Sequence, residues 1–193
     1  MALSALSDEL MRAEGMMMQD QNEEALELLL RLAEDAEEYV DCNCQTTDEV
    51  QYFAFPTLFD RLAYRRVEND PRKLEDVAEP FDRLYGDLAM AYVRTGDYES
   101  AMNALKTAIR WNPMNCGFRL DLADLFKIAG DIREHIALTF GVFERASEAR
   151  HLTRAFLNFA AWFEAQGRLE QAVACLRAAR RFEVKDSTLE AAL

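Results

Sequence analysis

Cys42-x-Cys44 is the place where two soft ligands come closest together in this chain. Thiolates in pairs hold zinc or exchange disulfides. The spacing is one residue short of the usual C-x-x-C, and no second pair or nearby histidine completes a site. Both therefore read as free thiols in a polar loop, and no metal is expected. The two histidines, His135 and His151, are candidates for general-base work. Neither lies near a cysteine or a serine motif in the sequence. Gly-rich phosphate loops, G-x-S-x-G and H-E-x-x-H are absent. Carboxylates are abundant, but they fall on exposed helix faces and at helix starts, where solvation is the ordinary reading. No catalytic set and no cofactor is expected, which leaves binding as the chemistry to explain.

Charge narrows the choice of partner. The chain has 193 residues and a net charge of −13. Residues 1–79 hold 20 Asp and Glu against 7 Lys and Arg, and residues 80–193 hold 15 against 15, so the whole excess precedes residue 80. A nucleic acid or an anionic membrane needs a basic footprint, and neither is an expected partner. Asp8 and Glu9 sit where a signal peptide would be apolar. No apolar run approaches the roughly 18 residues of a membrane span. Four scattered cysteines read as reduced thiols, and a cytoplasmic location is expected. Cys116 and Cys175 fall on predicted helices as packing residues.

The elements that must position any binding surface are helices. Leu3, Leu6, Leu10, Ala13 and Met17 put one apolar side on a helix over 3–18. Ala25, Leu28, Leu29, Leu32, Ala36 and Tyr39 do the same over 22–40. Residues 1–40 thus form an acidic helical hairpin. Residues 41–79 are too long for a simple loop. Tyr52, Phe53, Phe55 and Phe59 are too dense for a solvated linker. Pro56 can open a short helix with Leu58, Phe59, Leu62 and Ala63 as its apolar face, and the segment is expected to dock on the helices beyond residue 80.

From residue 80 a glycine recurs in one local context. Gly96, Gly130 and Gly167 are separated by 34 and 37 residues, a period typical of helical repeat arrays. Helix pairs are expected at 81–95 and 98–111, 116–129 and 132–147, and 152–166 and 169–183. Aligned on the glycines, the first repeat supplies Tyr85, Leu88, Ala89, Tyr92, Tyr98, Ala101, Leu105, Ala108 and Pro113. The second keeps Leu122, Ala123 and Phe126. It departs at His135, where a small residue is usual, and at Thr139, where an aromatic is common. The third has Phe156, Phe159, Ala160, Phe163, Leu169, Ala172, Leu176 and Ala179. These residues resemble the tetratricopeptide repeat family over roughly 82–186, and the hairpin at 1–40 is a candidate degenerate repeat. The resemblance implies an all-α fold, a right-handed superhelical array of antiparallel helix hairpins, with 80–193 holding three repeats and a short C-terminal cap. Residues 1–40, 41–79 and 80–193 would then make one continuous domain. Ser187-Thr188-Leu189-Glu190 matches a capping box, so either a short turn closes the array or the chain is a piece of a longer one. Trp162, at a usually small position, is expected to cover the array's open end.

In this family the concave groove is lined by the exposed stripe of each first helix. That resemblance places Arg83, Met90, Val93 and Arg94 there, then Leu120, Asp124, Lys127 and Ile128, then Arg154, Leu157, Ala161 and Glu164. Such a groove suits a protein or peptide segment with apolar anchors and some acidic residues. The expected function is a non-catalytic adaptor. The acidic hairpin is expected near the groove's cations, where it would compete with an acidic partner. Two alternatives stand beside it. One is a hydrolase-type or regulatory enzyme component with a site between 41–79 and the repeats, using His135. The other is a structural module that self-associates through its open end.

Overall fold

The computed structural model describes residues 3–185, with side chains from residue 5 onward. The expected capping box at 187–190 lies outside the described residues, as does the side chain of Leu3. The elements run α1 (Leu3–Met18), α2 (Asn22–Asn43), β1 (Val50–Phe53), α3 (Leu58–Glu68), β2 (Lys73–Asp76), α4 (Phe81–Thr95), α5 (Tyr98–Trp111), α6 (Cys116–Ile128), α7 (Ile132–Phe140), α8 (Val142–Arg145), α9 (Ala149–Ala165) and α10 (Leu169–Arg180). Contacts group them into two compact units, Met1–Met114 and Asn115–Leu193. The division follows Asn112-Pro113, where proline stops the helix. The hairpin, the connecting segment and the first repeat thus share one unit.

The recurring glycine explains the hairpins. Gly96, Gly130 and Gly167 have φ of 86°, 85° and 71°, the left-handed region that a Cβ disfavours. Each ends a first helix with the same pair of bonds. Gly96 N–H donates to Val93 O (3.2 Å) and Asp97 N–H to Tyr92 O (2.9 Å). Gly130 and Asp131 repeat this on Lys127 and Phe126, and Gly167 and Arg168 repeat it on Glu164 and Phe163. These bonds satisfy carbonyls that a helix end leaves unpaired and reverse the chain at once. The next helix opens on the following residue. Asp97 accepts from Ser100 N–H and Asp131 from Glu134 N–H, whereas Arg168 makes no side-chain cap.

In the first unit α2 packs on α4, and α1 packs on both. Leu6, Leu10, Ala13 and Met17 of α1 and Ala25, Leu28, Leu29, Leu32 and Ala36 of α2 are buried, as their spacing predicts. Phe81 at the start of α4 sits between Tyr39 (6.1 Å between ring centres) and Trp111 (5.2 Å). Buried Asp82 accepts a hydrogen bond from Asn112 Nδ2 at 2.9 Å, tying the first residues of the repeat to its last.

Residues 41–79 hold more than the short helix expected of them. They form a β-α-β unit whose strands pair in parallel from Val50–Lys73 to Phe53–Asp76. Parallel strands need a crossover between them, which is why the connection is long. Phe53, Phe55, Tyr64 and Leu74 pack with Met114 as its core. Ala54 N–H donates to Trp111 O at 2.9 Å and ties the unit to the end of α5. Asp70 closes it, accepting from Tyr64 Oη (2.9 Å) and from Nη2 of Arg72 (2.7 Å). Bonding to the Arg72 guanidinium holds this carboxyl far below the usual range, despite its burial. Helix α3 opens at Leu58 after the cap Thr57, not at Pro56.

In the second unit Cys116, Leu120, Val142 and Ala155 form a small core, with Phe143 and Ala146 against it. The helix expected over 132–147 breaks at Gly141 into α7 and α8. The two departures from the repeat pattern occupy its interior. His135 Nδ1 lies 2.8 Å from Ala123 O, and Thr139 Oγ1 donates to His135 O at 2.8 Å. Asn158 Nδ2 donates to Thr139 Oγ1. Trp162 is half-buried, meeting Phe159 edge-to-face at 6.0 Å and Phe163 at a tilt at 4.9 Å.

These contacts set two expectations for stability. A Cβ at Gly96 or Gly130 would meet nothing within 4 Å. Gly96→Ala and Gly130→Ala should therefore each cost about 1–2 kcal/mol from the backbone alone, measured by urea unfolding. Asp70→Asn should cost about 1.5–3 kcal/mol at pH 7. Because the fold lowers this carboxyl's pKa, its contribution is present above about pH 4 and lost on further acidification. The difference between Asp70→Asn and wild type should shrink in unfolding curves at pH 3.

Candidate partner-binding face

Helix α4 presents Arg83, Asp87, Met90 and Arg94 along one side, at steps of four, three and four. Helix α1 lies against it and supplies the partners. Arg83 Nε and Nη2 donate to Glu14 Oε1 at 3.0 and 2.7 Å. Asp87 Oδ2 stands 3.9 Å from Arg83 Nε, close enough for attraction and too far for a hydrogen bond. That oxygen is buried without a hydrogen-bond partner. Burial, then the charge of Glu14, push the Asp87 carboxyl up to about 7 against the pull of Arg83. Arg94 Nη1 donates to the carbonyl of Met17 at 3.0 Å, with Asp20 Oδ1 at 3.9 Å. It thereby serves an end carbonyl of α1, a helix with no basic residue in its own last turn. Met11, Met18 and Met90 are exposed beside these ion pairs. Met11 and Met18 share the Glu14 side of α1.

The second unit uses the same chemistry on α6 and α9. Arg154 places Nη1 2.7 Å from Asp121 Oδ1 and Nη2 2.6 Å from Asp124 Oδ2. Lys127, Ile128, Ala161 and Glu164 are exposed nearby in sequence, and Leu157 is half-exposed. Leu120 does not belong to the face. It is fully buried against Cys116, Val142 and Ala155. The reason is register. The glycine step of 34 carries Arg83, Asp87, Met90 and Arg94 onto Gly117, Asp121, Asp124 and Ile128. The further step of 37 carries them onto Arg154, Asn158, Ala161 and Ala165. Leu120 is one residue off this stripe. Asp87, Asp121 and Glu14 are the residues that the sequence-based site omits. The repeat step identifies the first two, and nothing local identifies Glu14.

Residues 82–115 match the tetratricopeptide repeat family model. These residues thus carry one tetratricopeptide repeat. Repeats of this family support protein–protein interaction scaffolds in general. Solved structures similar to this chain include MamA, at 17% identity, covering 90% of this chain and 86% of that one, with a TM-score of 0.46. Another is TTC0263, a thermophilic tetratricopeptide repeat protein of Thermus thermophilus, at 18% identity, covering 97% and 96%, with a TM-score of 0.47. No curated protein matches the chain.

His135 does not have the setting of a general base. It is buried, and its Nδ1 faces a carbonyl that only accepts, so Nδ1 carries the proton. No carboxylate bonds to it among the described residues. His151 is half-buried, and burial lowers its pKa. Burial raises the thiol of Cys44, and that of Cys116 to about 11, so both are poor nucleophiles. No helix of the described residues is long and apolar enough to cross a membrane.

The elevated Asp87 gives this face a pH signature. A carboxyl whose pKa rises on folding stabilises the fold most below about pH 4, its unfolded value, and that contribution is lost as pH rises through about 7. Asp87→Asn removes the loss. Unfolding curves should show the variant gaining roughly 1–3 kcal/mol on wild type between pH 5 and pH 8.

Proposed function

We propose that this protein is a non-catalytic adaptor that binds an extended or helical protein segment along the exposed side of its first helices. The supporting observation is the make-up of that side. Each unit carries exposed apolar residues beside ion pairs that are already closed. Met90 stands with Met11 and Met18 in the first unit. Leu157, Asp124, Lys127 and Glu164 supply the equivalent surface in the second.

The closed pairs change the charge a partner should carry. Arg83, Arg94 and Arg154 suggest an acidic ligand when read alone. Each is bonded within its own unit, and Arg83 and Arg154 each meet two carboxylates. Arg154 with Asp121 and Asp124 leaves one net negative charge. A partner segment with apolar anchors and Lys or Arg donors is the better complement, because it meets carboxylates whose positions are already fixed.

Selection of random peptides displayed on phage against the full chain tests this reading. Enriched peptides should combine aliphatic or aromatic residues with Lys or Arg. Met90→Glu and Asp124→Lys should each weaken the best binders by about tenfold or more. Peptides rich in Asp and Glu, or binders indifferent to both substitutions, would remove the proposal.

A further inference from the structure

Helix α3 is apolar on two opposite sides. Its inner side, with Tyr64 and the partly buried Ala63 and Val67, packs on the β-α-β core. Its outer side carries Leu58, Phe59 and Leu62, exposed to 71%, 62% and 59%. Their spacing alone predicts that they face inward. Three large apolar side chains adjoining on one short helix make a patch, whereas scattered exposed ones need no explanation. Arg65 and Arg66 extend the same outer side toward the end of the helix. Both are exposed, and neither forms an ion pair among the described residues. The outer face is therefore apolar at one end and cationic at the other.

The opposite chemistry stands on α2. Glu27, Leu30, Glu34 and Glu38 succeed one another at helical steps on its outer side with Arg31 among them, and all are exposed. With three carboxylates to one guanidinium the stripe is net acidic, and it has an apolar residue near its middle. We propose that the outer face of α3 docks on the outer face of α2 in a second copy of this chain. Leu58, Phe59 and Leu62 would cover Leu30 and the aliphatic stems around it. Arg65 and Arg66 would reach the carboxylates of Glu34 and Glu38.

Charge selects this occupant over its rivals. Pairing α3 with α3 would bring four arginines to one seam. An anionic membrane would be repelled by a chain of net charge −13 whose acids crowd this same unit. The contact is heterologous, so each copy keeps one donor and one acceptor face, and association continues beyond the dimer unless a ring closes. The contact uses neither the first-helix stripe nor its ligand, so it stands or falls separately from the adaptor reading.

Sedimentation velocity of the full chain at rising concentration and low salt tests it. Wild type should show an average mass that climbs with concentration. The double variants Arg65→Glu/Arg66→Glu and Glu34→Arg/Glu38→Arg should each require about tenfold higher concentration to associate. Their equimolar mixture should recover the complex, because one supplies a native α2 and the other a native α3. Unchanged circular dichroism separates these effects from unfolding. A wild type that stays monomeric throughout overturns the proposal. So does association insensitive to both variants. Loss with the α3 variant alone assigns the face to another occupant and overturns the role of α2.

Discussion

A left-handed residue after every first helix is the constraint from which the repeats derive. Gly96, Gly130 and Gly167 each turn the chain with the same two backbone bonds. The turn fixes where the second helix starts and therefore which side of the first it covers. The uncovered side is what remains exposed. The stripe through Arg83, Met90 and Arg94 is thus a consequence of backbone geometry three residues or fewer beyond its end. The side chains along it are free to vary in charge without disturbing the hairpin, and they do so between α4, α6 and α9.

The glycine period is legible because it depends on one residue type at one backbone angle. The helix pairs derive from it to within a few residues, with the exception of the break at Gly141. The β-α-β unit is not legible. Its strands have four residues each, and their partners lie 23 residues apart, too short and too distant for a periodic signal. The aromatic density at Phe53 and Phe55 does announce a packed segment. The same aromatic and aliphatic density misassigns α3, because a helix apolar on both sides has no unique inner face. Leu58, Phe59 and Leu62 have helical spacing, and spacing alone does not say which apolar side meets the core.

At the candidate site the limits have a different origin. Leu120 looks like a stripe residue from its helix, yet it lies one position off the 34-residue register and fills the second unit's core. The arginines are visible in the sequence, but their state is not. Glu14 is 69 residues from Arg83, and no local pattern joins them. A cation in a sequence reads as an available charge. Here the fold closes Arg83, Arg94 and Arg154 against acceptors from the neighbouring first helix. The acidic hairpin is accordingly part of the first unit's framework. It packs on α4 through a buried apolar side and completes α4's ion pairs from the edge of that side.

The three methionines beside those ion pairs give the face a sensitivity that the buried Cys44 and Cys116 lack. A thioether accepts an oxygen atom to become a polar, chiral sulfoxide, a change that specific reductases reverse. Met11, Met18 and Met90 stand in solvent, whereas Cys44 and Cys116 are buried with raised thiol pKa values. An oxidant therefore reaches these exposed apolar side chains before it reaches those two thiols. It would turn the methionines polar while leaving the helices that carry them in place.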